Sequence, residues 1–425
     1  MDSFAYRNGK LCCEDIAAAD LAAKFGTPLY VYSRATLLDH LGKIQAAFAK
    51  AEPVICYSVK ANSNLSLLQA LAGAGSGFDV VSGGELFRVQ KAGGDPGKVV
   101  YAGVGKTARE LDEAMAAGIL LFNCESEPEL DALQAAAKRA GRKARVALRI
   151  NPDVKAGGHA KISTGHKATK FGLAPDRAAA MLKRAASWPD LVFDGVHVHI
   201  GSQILKPEPY VAALDRTVEF IKGNRSKTAP LSWLDSGGGF GVFYKAEDEA
   251  AGAAAFAEVI VPRAQSAGCR LVLEPGRFIV GNAGILLARL LYVKDSGSKR
   301  YYVVDAGMND LIRPSLYEAF HEVWPAESNL LPPSRGGKPD GATLRVADVV
   351  GPICESGDYL ALGRALPEMA AGDLVAVFTA GAYGFAMSSN YNSRPRAAEV
   401  LVTGKTAKLA RRRESYESLI AGETD

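Results

Sequence analysis

A lysine follows the apolar run of residues 54–57, within the sequence PVICYSVKAN of residues 53–62. A short, continuous apolar run predicts a strand that is buried on both faces, as in a parallel sheet. Desolvation at the end of such a strand disfavours the ammonium form of Lys60, and the neutral amine is a nucleophile toward carbonyl groups. The position therefore suits covalent binding of an aldehyde cofactor. The alternative is a lysine that only extends its side chain into solvent.

Glu274 and Arg277 belong to the sequence EPGR, directly after the apolar run of residues 270–273. An aldehyde cofactor accepts electrons best when its ring nitrogen is protonated, and a carboxylate such as Glu274 can hold that proton. The guanidinium of Arg277 suits a phosphate or a substrate carboxylate. A plain salt bridge between the two side chains is the alternative.

The glycine run of residues 236–241, SGGGFG, follows another apolar segment. Gly237, Gly238 and Gly239 allow backbone N–H groups to approach an anion closely, and a helix expected directly afterwards would add its N-terminal dipole. The run therefore predicts a phosphate site, although it matches neither GxGxxG nor GK[ST]. A structural turn is an equally common use of such glycines.

His197 and His199 alternate along a predicted strand, so their side chains are expected on opposite faces. Only one of them would then reach the end of the sheet where ligands bind. A metal site that uses both histidines is therefore not expected, and we identify no Asp or Glu nearby that would complete a ligand set. His199 could lie against a planar ring, and Ser202 could donate a hydrogen bond to a phosphate.

Cys354 and Glu355 begin the sequence CESGD, which interrupts a strand pattern with an exposed turn. A thiol with a tuned pKa can act as a proton donor or acceptor. The alternative is a small buried cysteine beside a solvated acidic turn. Arg313, Tyr317 and Tyr383 are further polar or aromatic residues in unusual settings.

Eight apolar runs, each followed by helical sequence, position these side chains. The predicted strands are Val54–Val59, Gly77–Val81, Val99–Ala102, Ile119–Asn123, Arg145–Ile150, Gly195–Ile200, Leu231–Leu234 and Arg270–Leu273. Their number and order predict a (β/α)8 TIM-like barrel, in which strand carboxyl ends converge on one mouth. A doubly wound open sheet is the alternative.

The polar residues stand at the carboxyl ends of these predicted strands, so a barrel would bring them together. They are Lys60, Asp79, Ser82, Glu125, Ser126, Arg149, His199, Ser202, Gly237–Gly239 and Glu274.

After Gly276 the pattern changes to extended, β-branched segments. Residues 283–295, 300–305, 343–350, 373–380 and 396–403 predict a second, all-β domain of sandwich or barrel type. We assign residues 27–276 to the α/β barrel, and residues 1–26 with 277–425 to the β domain. Residues 151–172 and 328–341 are expected to form loops.

Composition excludes several classes of protein. The chain has 425 residues, 48% of them hydrophobic, and a formal net charge of +4. This length predicts two domains, and the small charge does not indicate nucleic-acid binding. We find no membrane span and no signal peptide, and six cysteines without CxxC spacing indicate reduced thiols in a cytoplasmic protein.

Eight motifs together resemble one family over nearly the whole chain. They are YSVKAN (57–62), FDVVSGGEL (78–86), HVHIGSQI (197–204), GGGFG (237–241), EPGR (274–277), RPSLY (313–317), CESGD (354–358) and AGAYGFAMSSNYNSRPR (380–396). In this order they resemble the pyridoxal-phosphate-dependent decarboxylases of alanine-racemase-like fold, the group IV decarboxylases. GGGFG or EPGR alone would be a weak signal, whereas the set is specific.

The resemblance implies a carboxy-lyase that decarboxylates meso-2,6-diaminopimelate at its D centre, giving L-lysine and carbon dioxide in the last step of lysine biosynthesis. It implies that Lys60 binds pyridoxal 5′-phosphate covalently, Glu274 holds the ring nitrogen proton, His199 stacks on the ring and Cys354 protonates the product. The remaining residues of the predicted cofactor site are Asp79, Arg149, Ser202, Gly237, Gly238, Gly239, Gly276, Arg277 and Tyr383.

For the substrate, the resemblance implies a carboxylate clamp by Arg277 and Arg313, an ammonium partner in Glu355, and hydrogen bonds from Tyr317 and Tyr383. It also implies a homodimer with shared active sites. The alternatives are a decarboxylase for ornithine, arginine or carboxynorspermidine, and a catalytically silent relative that binds partner proteins or stores cofactor.

Overall fold

The structure is a computed structural model that describes residues 2–154 and 170–424. The predicted loop of residues 151–172 lies largely outside these ranges. The chain divides into two compact units, a barrel unit of His40–Val242 and Glu249–Phe278, and a β unit of Met1–Asp39, Phe243–Asp248 and Ile279–Asp425. The predicted domain bounds stay a prediction, and the structure places residues 27–39, which they assigned to the barrel, in the β unit.

The described residues contain twenty strands. In chain order they are β1 Phe4–Arg7, β2 Lys10–Cys13, β3 Ile16–Ala17, β4 Leu29–Ser33, β5 Val54–Ser58, β6 Gly77–Val80, β7 Val99–Tyr101, β8 Leu121–Cys124, β9 Ala144–Arg149, β10 Leu191–His197, β11 Trp233–Asp235, β12 Arg270–Leu273, β13 Gly284–Ser296, β14 Lys299–Val304, β15 Val323–Pro325, β16 Leu344–Val350, β17 Tyr359–Pro367, β18 Leu374–Val377, β19 Ala398–Thr403 and β20 Thr406–Arg411.

The same residues contain twelve α-helices. They are α1 Ala18–Phe25, α2 Arg34–Ala47, α3 Leu65–Gly73, α4 Gly83–Lys91, α5 Ala108–Ala117, α6 Glu127–Ala140, α7 Pro175–Lys183, α8 Glu208–Asn224, α9 Ala253–Ala267, α10 Arg277–Val280, α11 Arg313–Tyr317 and α12 Tyr416–Leu419. No helix in the described part of the chain is long and apolar enough to cross a membrane.

Strands β5 to β12 form a closed, parallel barrel, which confirms the predicted fold class and rules out the open sheet. The register sets the polar side chains level with one another. His197 on β10 pairs with Arg149 on β9 and with Asp235 on β11, and Ser58 on β5 pairs with Asp79 on β6. Residues far apart in sequence therefore meet in one layer.

Local sequence determines where the barrel helices begin. Ser82, Thr107 and Ser126 cap α4, α5 and α6, each accepting a hydrogen bond from the backbone N–H three residues later. In α5 the Glu110 side chain completes a capping box. Gly118 ends α5 in a left-handed conformation that favours glycine. These signals fix the short turns between strands and helices around the barrel mouth.

The β unit is built on a mixed nine-stranded sheet and a three-stranded sheet, β1-β2-β3. Strand β13 pairs with β4 and β18 near its start and with β14 further along, while β4 also pairs in parallel with β19. The predicted extended segments correspond to β13, β14, β16, β18 and β19. Strands β15, β17 and β20 were not predicted.

Candidate active site

Lys60 and Asp79 form an ion pair inside the barrel mouth. Lys60 lies in a single 3-10 turn, Val59–Ala61, just past the end of β5, and its side chain is 34% exposed. Asp79 is fully buried, and its Oδ2 also accepts a hydrogen bond from the Ser58 hydroxyl at 2.7 Å. Burial, followed by the charge of Glu274, raises the pKa of Asp79, while Lys60 opposes that rise. The predicted nucleophile, Lys60, is therefore accessible, and the neighbouring carboxylate of Asp79 holds it in place.

Glu274 follows β12 and is buried among donors. Its Oε1 accepts a hydrogen bond from Asn123 Nδ2 at 3.2 Å, and its Oε2 lies 3.4 Å from His197 Nε2. Burial acts to raise the pKa of Glu274, but the interactions with His197, Lys60 and His199 together outweigh it and hold the pKa well below its usual range. For His197 burial acts to lower the pKa, and Glu274 and Asp235 together raise it. The pair is therefore an imidazolium beside a carboxylate.

Both histidines of HVHIG lie near Glu274, and the prediction that they face opposite sides is wrong. Strand β10 ends at His197, so strand alternation no longer applies to His199. His199 Nδ1 accepts a hydrogen bond from the Gly238 N–H at 3.3 Å and lies 4.0 Å from Glu274, too far for a hydrogen bond. Burial, followed by Arg149, lowers the pKa of His199 to about 3, so this ring is neutral.

The statement that no Asp or Glu completes a ligand set near these histidines is also wrong. His197, Asp235 and Glu274 are all buried, and each offers one ligand atom within 4.8 Å of the others. Asn123 Nδ2 donates to Asp235 Oδ2 at 3.0 Å as well as to Glu274. Burial, then Glu274, raises the pKa of Asp235 to about 8. The His197 imidazole is protonated, and the Asp235 carboxyl retains its proton near neutrality. Because metal ligands must be deprotonated, the cluster is better suited to binding protons than to binding a metal ion.

The glycine run approaches its neighbours so closely that side chains would not fit. A Cβ on Gly238 would overlap the carbonyl oxygen of Glu274, and one on Gly239 would overlap that of Gly201. Two of its amides donate within the protein, Gly237 N–H to Asp235 Oδ1 at 3.0 Å and Gly238 N–H to His199. The expected helix directly after the run is wrong, because α9 begins only at Ala253.

Arg277 and Ser202 lie beside this glycine run. Arg277 is buried, and its Nη2 donates to Ser202 Oγ at 3.1 Å. The loop that carries Ser202 is fixed to the run through the Ile204 N–H, which donates to the Gly239 carbonyl at 2.8 Å. A Cβ on Gly276 would lie 3.0 Å from the Ser58 Cβ, so this position also favours glycine. The arrangement places a guanidinium and a hydroxyl where they could bind an anion together.

Arg149 is buried at the end of β9 and is paired with Glu125. Its Nη1 donates to Glu125 Oε1 at 2.8 Å, and Glu125 Oε2 accepts a hydrogen bond from the Gly172 N–H. The guanidinium also lies over the Phe171 ring, 4.8 Å from its centroid. These contacts hold Arg149 in the layer of His197, where its charge adds to the effect of burial in keeping His199 neutral.

In the β unit, Cys354 and Glu355 are exposed on the turn that follows β16. The second carboxylate of that turn has a structural role, because Asp358 is buried and accepts hydrogen bonds from the Met308 and Ile353 amides, each at 2.6 Å. The Cys354 N–H donates to Asn392 Oδ1 at 2.9 Å. The structure thus presents the thiol and Glu355, and it excludes the alternative of a buried cysteine.

The other predicted residues of the β unit are Arg313, Tyr317 and Tyr383. Arg313 is buried at the start of α11, and Tyr317 ends that helix. Tyr383 has a positive φ of 56° in the AGAYGF segment. Their roles, like those of all the site residues predicted from sequence, stay predictions.

Sequence reasoning missed Asn123, Asp235 and His197 as members of the buried network around Glu274. Asp235 and Asn123 stand at or near the ends of strands, which is the signal that could have identified them. Only closure of the barrel brings Asn123 within hydrogen-bond distance of Asp235 and Glu274, and His197 within ion-pair distance of Glu274.

The comparisons with known proteins agree with this geometry. Residues 34–281 match the family model described as pyridoxal-dependent decarboxylase, pyridoxal binding domain. A diaminopimelate decarboxylase of Pseudomonas aeruginosa is 48% identical, with 100% of this chain and 99% of the relative covered. One of Aquifex aeolicus is 45% identical, with coverages of 99% and 97%. The crystal structure of diaminopimelate decarboxylase from M. jannaschii in co-complex with L-lysine superposes with a TM-score of 0.92 at 34% identity, covering 100% of this chain and 98% of that one.

Proposed function

The chain belongs to the family of pyridoxal-dependent decarboxylases, and from that membership we propose that it decarboxylates meso-2,6-diaminopimelate at its D centre, giving L-lysine and carbon dioxide. It is a carboxy-lyase of lysine biosynthesis whose cofactor is pyridoxal 5′-phosphate. The observation that carries the proposal is a lysine and a buried, ionised carboxylate in one barrel mouth, Lys60 and Glu274, in a chain similar over its whole length to diaminopimelate decarboxylases.

The residues of the barrel mouth fit this cofactor. Lys60 supplies an accessible amine for its aldehyde, and Glu274 supplies an ionised carboxylate for its ring nitrogen. Ser202 and Arg277, beside the closely packed glycine run, offer donors for its phosphate. When bound, pyridoxal phosphate takes up the electron pair that remains when carbon dioxide leaves.

We assign the protein's own contributions as follows. Asp79 orients the Lys60 side chain and stabilises its ammonium form, which must lose a proton before the amine can react. Glu274 stays ionised because of His197, so it can hold a proton at the cofactor ring. His199 is neutral and therefore able to lie against the ring without a competing charge. Cys354 is exposed, and we propose that it delivers the proton that replaces the lost carboxylate.

For the substrate we propose that Arg277 and Arg313 bind the carboxylate of its L centre and Glu355 its ammonium group, with Tyr317 and Tyr383 adding hydrogen bonds. The family resemblance supports these roles. We further propose a homodimer in which Cys354 and Glu355 serve the partner's site, supported by the exposure of both residues. Six free thiols support a cytoplasmic location.

The function is tested by incubating the holoenzyme with each candidate substrate. We expect carbon dioxide and L-lysine from meso-2,6-diaminopimelate and neither product from the LL isomer, because only the meso form has a D centre. Ornithine, arginine and carboxynorspermidine are the comparison substrates. A higher kcat/KM for any of them than for the meso isomer would contradict the proposal.

A further inference from the structure

His321 lies eight residues after Arg313 and was not singled out by the sequence. Glu318 follows the last residue of α11 and has a left-handed φ of 51°, and its N–H donates back to the Arg313 carbonyl at the start of the helix. His321 follows that turn and is fully buried just before β15. The neighbouring Glu322 carbonyl accepts a hydrogen bond from the Phe378 N–H at 2.8 Å, which fixes this segment to the end of β18.

Hydrogen-bond partners determine which nitrogen of His321 holds the proton. Nδ1 lies 2.8 Å from the Phe378 carbonyl oxygen, and a carbonyl can only accept, so Nδ1 is the donor. Nε2 lies 2.7 Å from Arg313 Nη1, and a guanidinium can only donate, so Nε2 is the acceptor. The assignment follows from these partners. The ring is therefore neutral, because a second proton on Nε2 would point at the arginine.

Tyr244 holds the same two side chains from a second direction. The Arg313 guanidinium lies over the Tyr244 ring, with Cζ 4.6 Å from the centroid, a cation–π contact. The His321 ring meets Tyr244 edge-on, at 5.3 Å between centroids and an angle of 83°. Neither of these two partners of Arg313 carries a negative charge. Both contacts orient the guanidinium.

We propose that His321 is a positioning residue that orients Arg313 for the carboxylate of an amino-acid substrate. This inference rests on the proposed function, since it assumes that Arg313 binds substrate. The carboxylate needs a guanidinium that is held in place and still has N–H donors to offer. The Nε2 of His321 occupies one of the five donors of the fork. His321 thus sets the direction of the fork.

A matched pair of substitutions separates this role from a merely structural one. His321→Gln retains an acceptor at the position of Nε2 but loses the donor to Phe378, whereas His321→Asn retains that donor and loses the acceptor. If His321 orients Arg313, the Asn variant raises KM for meso-2,6-diaminopimelate about tenfold with kcat nearly unchanged, and the Gln variant stays near the parent enzyme. If His321 only anchors the fold, the Gln variant is the impaired one, and the proposal is overturned.

Binding of L-lysine, measured by calorimetry on the holoenzyme, gives a readout that does not depend on turnover. We expect the Kd to rise in the Asn variant by the same factor as KM. Arg313→Ala should raise both by about a hundredfold, and adding His321→Asn to it should change neither further, because the two act as one unit. If His321→Asn raised KM and Kd by the same factor in Arg313→Ala as in the parent enzyme, the proposal would be overturned.

Arg313→Ala also separates the substrate role of Arg313 from the positioning role of His321. If it leaves KM and Kd unchanged, the proposed substrate role of Arg313 fails, and this inference fails with it. If it raises both while His321→Asn raises neither, the substrate role stands and only the positioning role of His321 is overturned.

Discussion

The carboxylate of Glu274 is buried, yet it remains ionised because of the residues around it. Burial alone disfavours the charge, and the His197 imidazolium at 3.4 Å, together with Lys60 and His199, reverses that preference. Asn123 adds an amide donor to the other oxygen. The neighbouring Asp235 lacks a comparable balance, and its pKa rises to about 8. Two carboxyl groups of one cluster thus hold opposite protonation states near neutral pH.

Replacing His197 by glutamine removes the positive charge that keeps Glu274 ionised. Burial then raises the pKa of Glu274, and the carboxyl becomes protonated below that new value. We expect kcat/KM at pH 7 to fall at least about tenfold and the acid limb of its pH profile to move to higher pH. The profile measured from pH 5.5 to 9 tests this. His40→Gln, at another buried histidine of the barrel unit, is the control, and an acid limb in His197→Gln that matches it would contradict the account.

Single residues could be predicted where one strand determines their position. Lys60 and Glu274 each follow an apolar run, so the barrel prediction alone places them at the mouth. The contact between His197 and Glu274 joins residues on β10 and β12, and it depends on the register of strands that pair only after the barrel closes. The error over His199 has a local cause, since β10 ends two residues before it.

Elements were predicted best where the apolar run was uninterrupted. Strand β12 has the predicted bounds, Arg270–Leu273, whereas β10 begins at Leu191, four residues before the prediction, because Asp194 and Gly195 interrupt its pattern. Strand β17 was missed for a similar reason, since Gly363 and Arg364 stand in its centre. The sequence signals of a strand are side-chain patterns, and backbone pairing can continue through residues that break them.

Glu85, in the first turn of α4, is a carboxyl whose pKa is raised by burial. Glu85 Oε2 accepts a hydrogen bond from the Val81 N–H at 2.8 Å, and burial raises the pKa of Glu85 to about 7. Below pH 4.5 both folded and unfolded chains hold this proton. Between pH 4.5 and 7 the unfolded chain has released it and the folded chain has not, so the free energy of unfolding falls as pH rises.

Glu85→Gln should remove this pH dependence, because an amide does not ionise and still accepts from Val81. We compare the unfolding temperatures of the variant and the parent protein, both without cofactor. From pH 5 to pH 7.5 the difference between them should shift by about 2–4 °C in favour of the variant. Glu110→Gln is the control, because the Gly83 and Thr107 amides lower the pKa of Glu110, so this carboxyl is ionised in both states above pH 5 and its replacement should cause no shift between pH 5 and pH 7.5. A shift in the same direction for both variants would rule out this explanation.

At the scale of the whole molecule, the chain combines a barrel unit that contains Lys60 with a β unit that contains Cys354. The presence of two domains and their classes followed from length and from the change of pattern after Gly276. The place of residues 27–39 in the β unit did not follow in this way, because β4 pairs with β13 and β19, strands more than 200 residues away. Such pairing leaves no signal near residue 29.

The proposed homodimer with shared sites can be tested by mixing two inactive variants. Lys60→Ala lacks the cofactor amine and Cys354→Ala lacks the proposed proton donor. If Cys354 serves the partner's site, a mixed dimer regains one complete site, and random reassociation should restore about a quarter of the parent sites. Mixing either variant with itself is the control. Activity that stays at the level of the separate variants would mean that each subunit uses its own cysteine.

The central claim is that Lys60 binds pyridoxal phosphate covalently, and borohydride reduction of the holoenzyme followed by peptide mass mapping tests it most directly. The account predicts a pyridoxyl group on the peptide that contains Lys60, one per chain, and none in Lys60→Ala prepared in the same way. A pyridoxyl group on another lysine, or an unmodified Lys60 in fully active enzyme, would contradict it.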